Sequence, residues 1–288
     1  MSTVAILGCG YVGRALGRGL VDQGHEVLGV CRSEDGLAAV EAAGLTPVRG
    51  DVTDRSDLEG ISGADALVFS ASSGGGGASA ARSVYVDGLN TVLDAISTWE
   101  RPPDRLLYTS STGVYGDHEG RWVDETTDLD PATGKTEVLA EAETVARRAR
   151  EFGTVPVVAR LAGIYGPERY RLERYLEGPI TEGYVNLVHR ADVAGALGLL
   201  LTADPGTVPE TVLVVDHEPV WKPTLAAWLA EQCDRAPPDT VSRTADGRER
   251  QRRGQKRCSN ERLLELGYQF EYPTYREGYR AAIEDYRG

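Results

Sequence analysis

Chemistry is signalled first by Gly8-Cys9-Gly10-Tyr11-Val12-Gly13, which follows the apolar run Thr3 to Leu7 and opens an amphipathic stretch. In that setting each glycine has a task. Gly8 permits a tight turn, Gly10 lets backbone approach a pyrophosphate, and Gly13 allows a helix to lie close on a strand. The unpaired N–H groups of the first helical turn, around Tyr11 and Val12, then face the phosphates with the positive end of the helix dipole. The spacing predicts a dinucleotide site.

The residues after the next strand bear on which dinucleotide. A site for NAD offers a carboxylate to the ribose 2′-OH, whereas this chain offers Arg32 and Ser33. A guanidinium pairs with a 2′-phosphate that a carboxylate would repel. NADP is therefore the expected cofactor, in preference to NAD. Asp51-Val52 is placed for an adenine contact, with Asp51 accepting from the exocyclic amine or serving as a helix cap. Ser70-Ala71-Ser72 follows the fourth strand, where small side chains let backbone pass close to a cofactor ribose.

The elements that position these residues alternate. Strands are predicted at Thr3 to Leu7, Glu26 to Val30, Thr46 to Val48, Ala66 to Phe69, Arg105 to Thr109 and Val155 to Ala159. Helices are predicted at Tyr11 to Gln23, Glu34 to Ala43, Ser79 to Trp99 and Lys135 to Phe152. Short, continuously apolar strands alternating with helices give an α/β, doubly wound parallel sheet. After Gly166 the alternation loosens, with a short helix in Pro167 to Gly178, a helix at Arg190 to Thr202 and a strand at Thr211 to Val215. Further helices are expected at Leu225 to Cys233, Asn260 to Leu266 and Tyr275 to Tyr286. The division expected is a nucleotide-binding domain at 1–166, with return segments near 186–216, and a small C-terminal substrate domain over 167–288.

Composition narrows the partners. The 288 residues carry a formal charge of −13, with pI near 4.9, and Lys135, Lys222 and Lys256 are the only lysines. An acidic chain lacks the basic face that nucleic acid requires. No run of about 18 apolar residues is present, so no membrane span is expected. The opening MSTVAILGCG lacks a basic leader region, which points to the cytoplasm. Cys9, Cys31, Cys233 and Cys258 form no metal-ligand pattern and read as small core residues. His118 reads as exposed and His189 as a hydrogen-bonded structural histidine. Neither a Gly-x-Ser-x-Gly elbow nor HExxH occurs. Arg169, Arg171 and Arg174, interleaved with Tyr170 and Tyr175, suit an anionic small-molecule substrate or a solvated helix face equally well. Arg248 to Arg253, with Lys256 and Arg257, forms the one basic cluster, read as a solvated loop or as a recruiter of anions.

Three further segments carry a resemblance. They are Ser110-Ser111-Thr112-Gly113-Val114-Tyr115-Gly116, Arg160-Leu161-Ala162-Gly163-Ile164-Tyr165-Gly166-Pro167 and Asn186-Leu187-Val188-His189-Arg190-Ala191-Asp192-Val193-Ala194. Together with the glycine motif they resemble the extended short-chain dehydrogenase/reductases, in the NAD(P)-dependent epimerase/dehydratase branch. The C-terminal Lys256-Arg257-Cys258-Ser259-Asn260 is similar to an atypical subgroup of it. The resemblance implies a Rossmann-type domain and an oxidoreductase or epimerase acting on a carbonyl or carbinol, such as that of a nucleotide sugar or another anionic small molecule. It also implies a homodimer through the two long helices.

By that resemblance Ser111 orients the substrate oxygen, and a Tyr-x-x-x-Lys on the following helix moves the proton. This chain has no Tyr-x-x-x-Lys. Aligned on Ala140-Glu141, Thr133 takes the tyrosine position and Glu137 the lysine position. Threonine does not ionise near neutrality. Replacements are Tyr115 as proton donor, against a role as pocket wall, and Glu137 as acid or base, against a solvated carboxylate. A non-catalytic NADP-binding redox sensor or assembly factor is the alternative.

Overall fold

The computed structural model describes residues 1–204, 206–242 and 255–288. A seven-stranded sheet forms its centre. Five strands, β1 (Thr3–Leu7), β2 (Glu26–Cys31), β3 (Thr46–Arg49), β4 (Ala66–Phe69) and β5 (Arg105–Ser111), lie in the order β3-β2-β1-β4-β5 and pair in parallel. The strands Val155–Leu161 and Thr211–Val214 extend the sheet beyond β5. The strand order reverses between β1 and β4, the switch point where doubly wound sheets bind ligands beyond their carboxyl ends.

Sequence accounts for these elements directly. Every residue of β4 is buried, as is Val4 to Leu7 of β1, because covered parallel strands need apolar side chains on both faces. Helix α1 (Tyr11–Asp22) buries the stripe Gly13, Leu16, Gly17 and Leu20 at helical spacing. Helix α2 (Glu34–Glu41) starts at Ser33, whose hydroxyl accepts from the Gly36 N–H at 3.2 Å. The helix expected at Ser79 to Trp99 is made of α3 (Gly77–Ala81), a π-helical turn at Arg82–Asp87, and α4 (Gly88–Ile96). Helix α5 (Gly134–Arg147) opens on a capping box between Thr133 and Thr136.

The chain divides into two compact units. The first holds Met1–Ser111, Thr133–Arg160 and Val193–Val212, and the second holds Thr112–Ala132, Leu161–Asp192 and Leu213–Gly288. The first unit thus stops at Ser111 instead of running unbroken to Gly166. Residues 112–132 join the C-terminal portion because Trp122–Val123 pairs with Arg257–Cys258, and the buried Lys256 ammonium donates to the Gly116 carbonyl at 3.2 Å. No periodicity announces pairing between two-residue strands 135 positions apart. The core of the second unit gathers Tyr165, Leu176, Leu229, Tyr275 and Tyr279, with Tyr165 stacked on Tyr279 at 4.8 Å. Of the basic cluster, Arg248 to Arg253 lies outside the described residues. Among the described residues no helix is long and apolar enough to cross a membrane.

Candidate functional site

The glycine motif takes the geometry its chemistry requires. Gly8 has φ of +80°, and a Cβ there would stand 2.3 Å from the Ala71 Cα, so only glycine fits between the β1 and β4 exits. A Cβ at Gly13 would meet the Ile6 side chain at 3.0 Å, which measures how closely α1 lies on β1. Around Gly10, by contrast, a Cβ would meet nothing nearer than 3.8 Å, so the space over the loop is open. No side chain caps α1 at Gly10. Tyr11 and Val12 form its first turn and are half-buried. An uncapped helix start under an open glycine backbone fits a diphosphate. Ser70 fastens the cradle from the β4 side, its hydroxyl donating to the Gly8 carbonyl at 3.1 Å. Ala71 is half-buried beside it, and Ser72 is exposed.

At the ends of β2 and β3 the structure brings together Arg32, Ser33 and Asp51. Arg32 is exposed and reaches Asp51 at 3.2 Å. Partial burial acts to raise the Asp51 carboxyl, but the Thr53 backbone and hydroxyl and the Arg32 guanidinium outweigh it and hold the group below its usual range. Asp51 turns the chain through Thr53, and the following helical turn is capped by Asp54 instead, so Asp51 is not the cap. Val52 is buried against Gly88. Arg49, at the end of β3, donates to the Arg32 carbonyl at 3.0 Å and pairs with Glu34. Sequence reasoning missed Arg49, although its place at the end of the third strand was readable; in the structure it is the register partner of Cys31.

Ser111 closes β5 and is half-buried. Its neighbour Ser110 donates to the Glu143 carboxylate at 2.7 Å. Glu143, on α5, is fully buried and also receives Arg160 through Nε at 3.0 Å and Nη2 at 2.7 Å, with Arg147 at 3.3 Å. A bidentate guanidinium and a hydroxyl satisfy the carboxylate and lock β5, α5 and Val155–Leu161 together behind Ser111. Nothing in the residue order signals this hub, because Glu143 reads as one more helix carboxylate. Thr133 is committed to the cap of α5, its hydroxyl accepting from the Thr136 N–H at 3.3 Å, and Glu137 is exposed in the first turn.

In the second unit Tyr115 is fully buried, and its hydroxyl donates to the Asp124 carbonyl at 2.7 Å. That contact suits a wall or core residue. His189 is buried, accepts from the Ala191 N–H at 3.3 Å through Nδ1, and lies on the Tyr272 ring at 3.8 Å. Burial and then Arg190 hold its imidazole down to about 4, so it is neutral at physiological pH. Asp192 receives the Tyr268 hydroxyl and the Glu271 and Tyr272 N–H groups. Tyr170 and Tyr175 pack against the core of this unit, while Arg171 and Arg174 are exposed. His118 is half-buried instead of exposed, edge-on to Tyr115. The four cysteines are free, and burial raises the Cys9 and Cys258 thiols to about 12. Among the described residues no group of His, Cys, Asp and Glu is placed to hold a metal.

Comparison with known proteins agrees with this geometry. Residues 4–209 match the model of the NAD dependent epimerase/dehydratase family. Protein YeeZ of Escherichia coli K12 is 32% identical over 283 residues, covering 95% of this chain and 97% of that protein. A 4-hydroxy-2-methyl-3-oxo-4-farnesyl-3,4-dihydroquinoline-1-oxide ketoreductase of Stigmatella aurantiaca is 29% identical over 76% of this chain and 70% of its own. A solved structure of a functionally unknown conserved protein from Silicibacter pomeroyi superposes with a TM-score of 0.80 at 31% identity, covering 99% of both chains. With a glycine cradle built for a diphosphate and a family match over most of its length, the chain belongs to the NAD dependent epimerase/dehydratase family.

Proposed function

We propose that the protein is an NADP-dependent oxidoreductase or epimerase acting on the carbonyl or carbinol of an anionic small molecule, with Ser111 polarising the substrate oxygen. The observation that carries the reading is the pair of arginines, Arg32 and Arg49, at the ends of β2 and β3, where an NAD site would present a carboxylate. Gly8, Gly10, Tyr11, Val12 and Gly13 hold the diphosphate, Ser33 adds a hydroxyl donor beside the 2′-phosphate, and Ala71 and Ser72 border the ribose. When bound, the nicotinamide supplies or accepts hydride at carbon. Ser111 hydrogen-bonds the oxygen of the reacting carbon, and the Glu143 hub keeps the β5 end in place. The Stigmatella relative's name as a ketoreductase favours ketone reduction within this range.

The test is fluorescence titration with NADPH and NADH, followed by turnover on a panel of 3-oxo carboxylates and sugar nucleotides. Arg32→Ala should weaken NADPH at least tenfold and leave NADH little changed, and Ser111→Ala should abolish turnover. Tighter binding of NADH by the unaltered protein would reject the cofactor assignment. Firm NADPH binding with no turnover on any substrate would favour the non-catalytic sensor.

A further inference from the structure

The expected proton-transfer tyrosine is missing from α5, yet two different helices carry a phenol and an ammonium close enough at the cofactor end of the first unit for the ammonium's charge to act on the phenol. Tyr85 projects from the π-helical turn at Arg82–Asp87 and is 8% exposed. Its hydroxyl accepts from the Ser73 N–H at 3.3 Å and lies 3.5 Å from the Ser73 hydroxyl. Ser73 belongs to the β4 exit, two residues beyond Ala71, whose backbone closes on Gly8. Lys135 is the second residue of α5. The start of that helix lies against α3, where a Cβ on Gly134 would meet Ala78 at 3.2 Å. Arg82 bridges to Glu141, with Nη1 to Oε1 at 2.8 Å, and ties the π turn to α5.

We infer that Tyr85 is the proton-transfer residue of this enzyme and that Lys135 is its electrostatic partner, so that a Tyr/Lys pair split between two helices replaces the one expected on α5. This rests on the oxidoreductase reading above. In the reducing direction hydride adds to the carbonyl carbon, the π electrons move to oxygen, and the Tyr85 O–H gives that oxygen its proton. The alcohol forms, and water reprotonates the phenolate. In the oxidising direction the phenolate takes the carbinol proton.

The surroundings suit a phenol that must ionise. Burial acts against the charged form, but the Ser73 hydroxyl and N–H, the Lys135 ammonium and the Ser72 hydroxyl outweigh it and bring Tyr85 below the ordinary phenol range. Tyr108, on β5, is the opposite case. Its hydroxyl is buried without a partner, and burial with the nearby Glu143 charge and Tyr85 holds it well above that range. The local helix geometry is informative too, since π turns inside α-helices concentrate at functional sites. The extra residue in the turn aims Tyr85 at the β4 exit.

The test titrates the ligand-free protein by phenolate absorbance at 295 nm, with tyrosine replacement as the reference. Of the 13 tyrosines, one should ionise ahead of the rest, and Tyr85→Phe should remove that step. Lys135→Met should move the step upward and Lys135→Arg should restore it, a pattern that a purely structural tyrosine does not produce. Tyr85→Phe should also lower ketone turnover by about 10²–10⁴-fold while NADPH affinity stays within twofold. A difference spectrum with no early step, or Tyr85→Phe turnover within threefold of the unaltered protein, would overturn the assignment. Lys135 is exposed, so its variants report even where Tyr85→Phe folds poorly. Failure of NADPH to bind would count against the cofactor reading, whereas the ligand-free titration tests the Tyr85–Lys135 pair by itself.

Discussion

Glu143 and Asp216 are both buried carboxylates, 0% and 2% exposed, and the protein treats them in opposite ways. In the first unit Glu143 receives a bidentate arginine and a serine hydroxyl. In the second unit Asp216 receives the Glu218 N–H at 3.1 Å on one oxygen, while its other oxygen has no partner. Burial therefore raises the Asp216 carboxyl to about 8, with Glu218, Asp192 and Glu277 adding to the rise. The contrast shows two uses of a buried acid. One is a carboxylate held by hydrogen bonds and ion pairs that joins three elements behind the candidate serine. The other is a neutral acid whose charge state depends on pH.

The largest way to break the first arrangement is Glu143→Ala. It strands the Arg160 guanidinium, 5% exposed, in the interior and removes the acceptor of Ser110. Breaking a buried pair from one side costs roughly 3–5 kcal/mol. Urea denaturation should show a loss of that size, and a loss below about 1 kcal/mol would mean the pair is not the lock described. Glu143→Gln, which keeps an acceptor but not the charge, should fall between the two.

Asp216 gives the second test. In the folded chain it keeps its proton up to about pH 8, whereas its ordinary value is 3.8. Between those limits the folded state binds more protons, so stability falls as pH rises. His189 works the other way. It is held down to about 4 against an ordinary 6.5, so the unfolded state binds more protons in that window and stability is lost as pH falls from 6.5 toward 4. The two slopes oppose one another below pH 6.5, and above it Asp216 acts without His189. From pH 6.5 to 8 the unaltered protein should lose roughly 2 kcal/mol that Asp216→Asn retains. Parallel stability curves for the two proteins across that interval would show that Asp216 is already ionised.

The same contrast explains what could be read without coordinates. Gly8, Gly10 and Gly13 were legible because their constraint is local: a turn, an approach and a helix start within six residues. The strands β1 and β4 were placed to the residue for a similar reason, since burial along nearly their whole length leaves an uninterrupted apolar run. Glu143 was illegible because its partners Ser110 and Arg160 lie 33 and 17 residues away. Nothing in Leu139-Ala140-Glu141-Ala142-Glu143 separates the exposed Glu141 from the buried Glu143 except helical phase. Tyr85 was hidden by the π turn, which shifts that phase inside what reads as one continuous helix. Residues 112–132 were assigned by chain order, and only the pairing of Trp122–Val123 with Arg257–Cys258 places them in the second unit.

Ser110→Ala is the smallest and sharpest perturbation of the Glu143 hub. It removes the 2.7 Å hydroxyl donor and leaves both Arg160 contacts in place. A hydrogen bond to a charged group contributes about 1.5–3 kcal/mol, and the remaining arginine contacts keep the carboxylate satisfied, so a loss near 1.5 kcal/mol is expected. Because Ser110 precedes Ser111 on β5, successive side chains point to opposite faces of the sheet. Ser110→Ala should therefore lower stability while leaving NADPH affinity within twofold, whereas Ser111→Ala should spare stability and remove turnover. If Ser110→Ala costs as much as Glu143→Ala, the hydroxyl and not the guanidinium carries the hub. If it costs nothing, the arginines suffice, and the contrast with Asp216 rests on the ion pairs with Arg160 and Arg147.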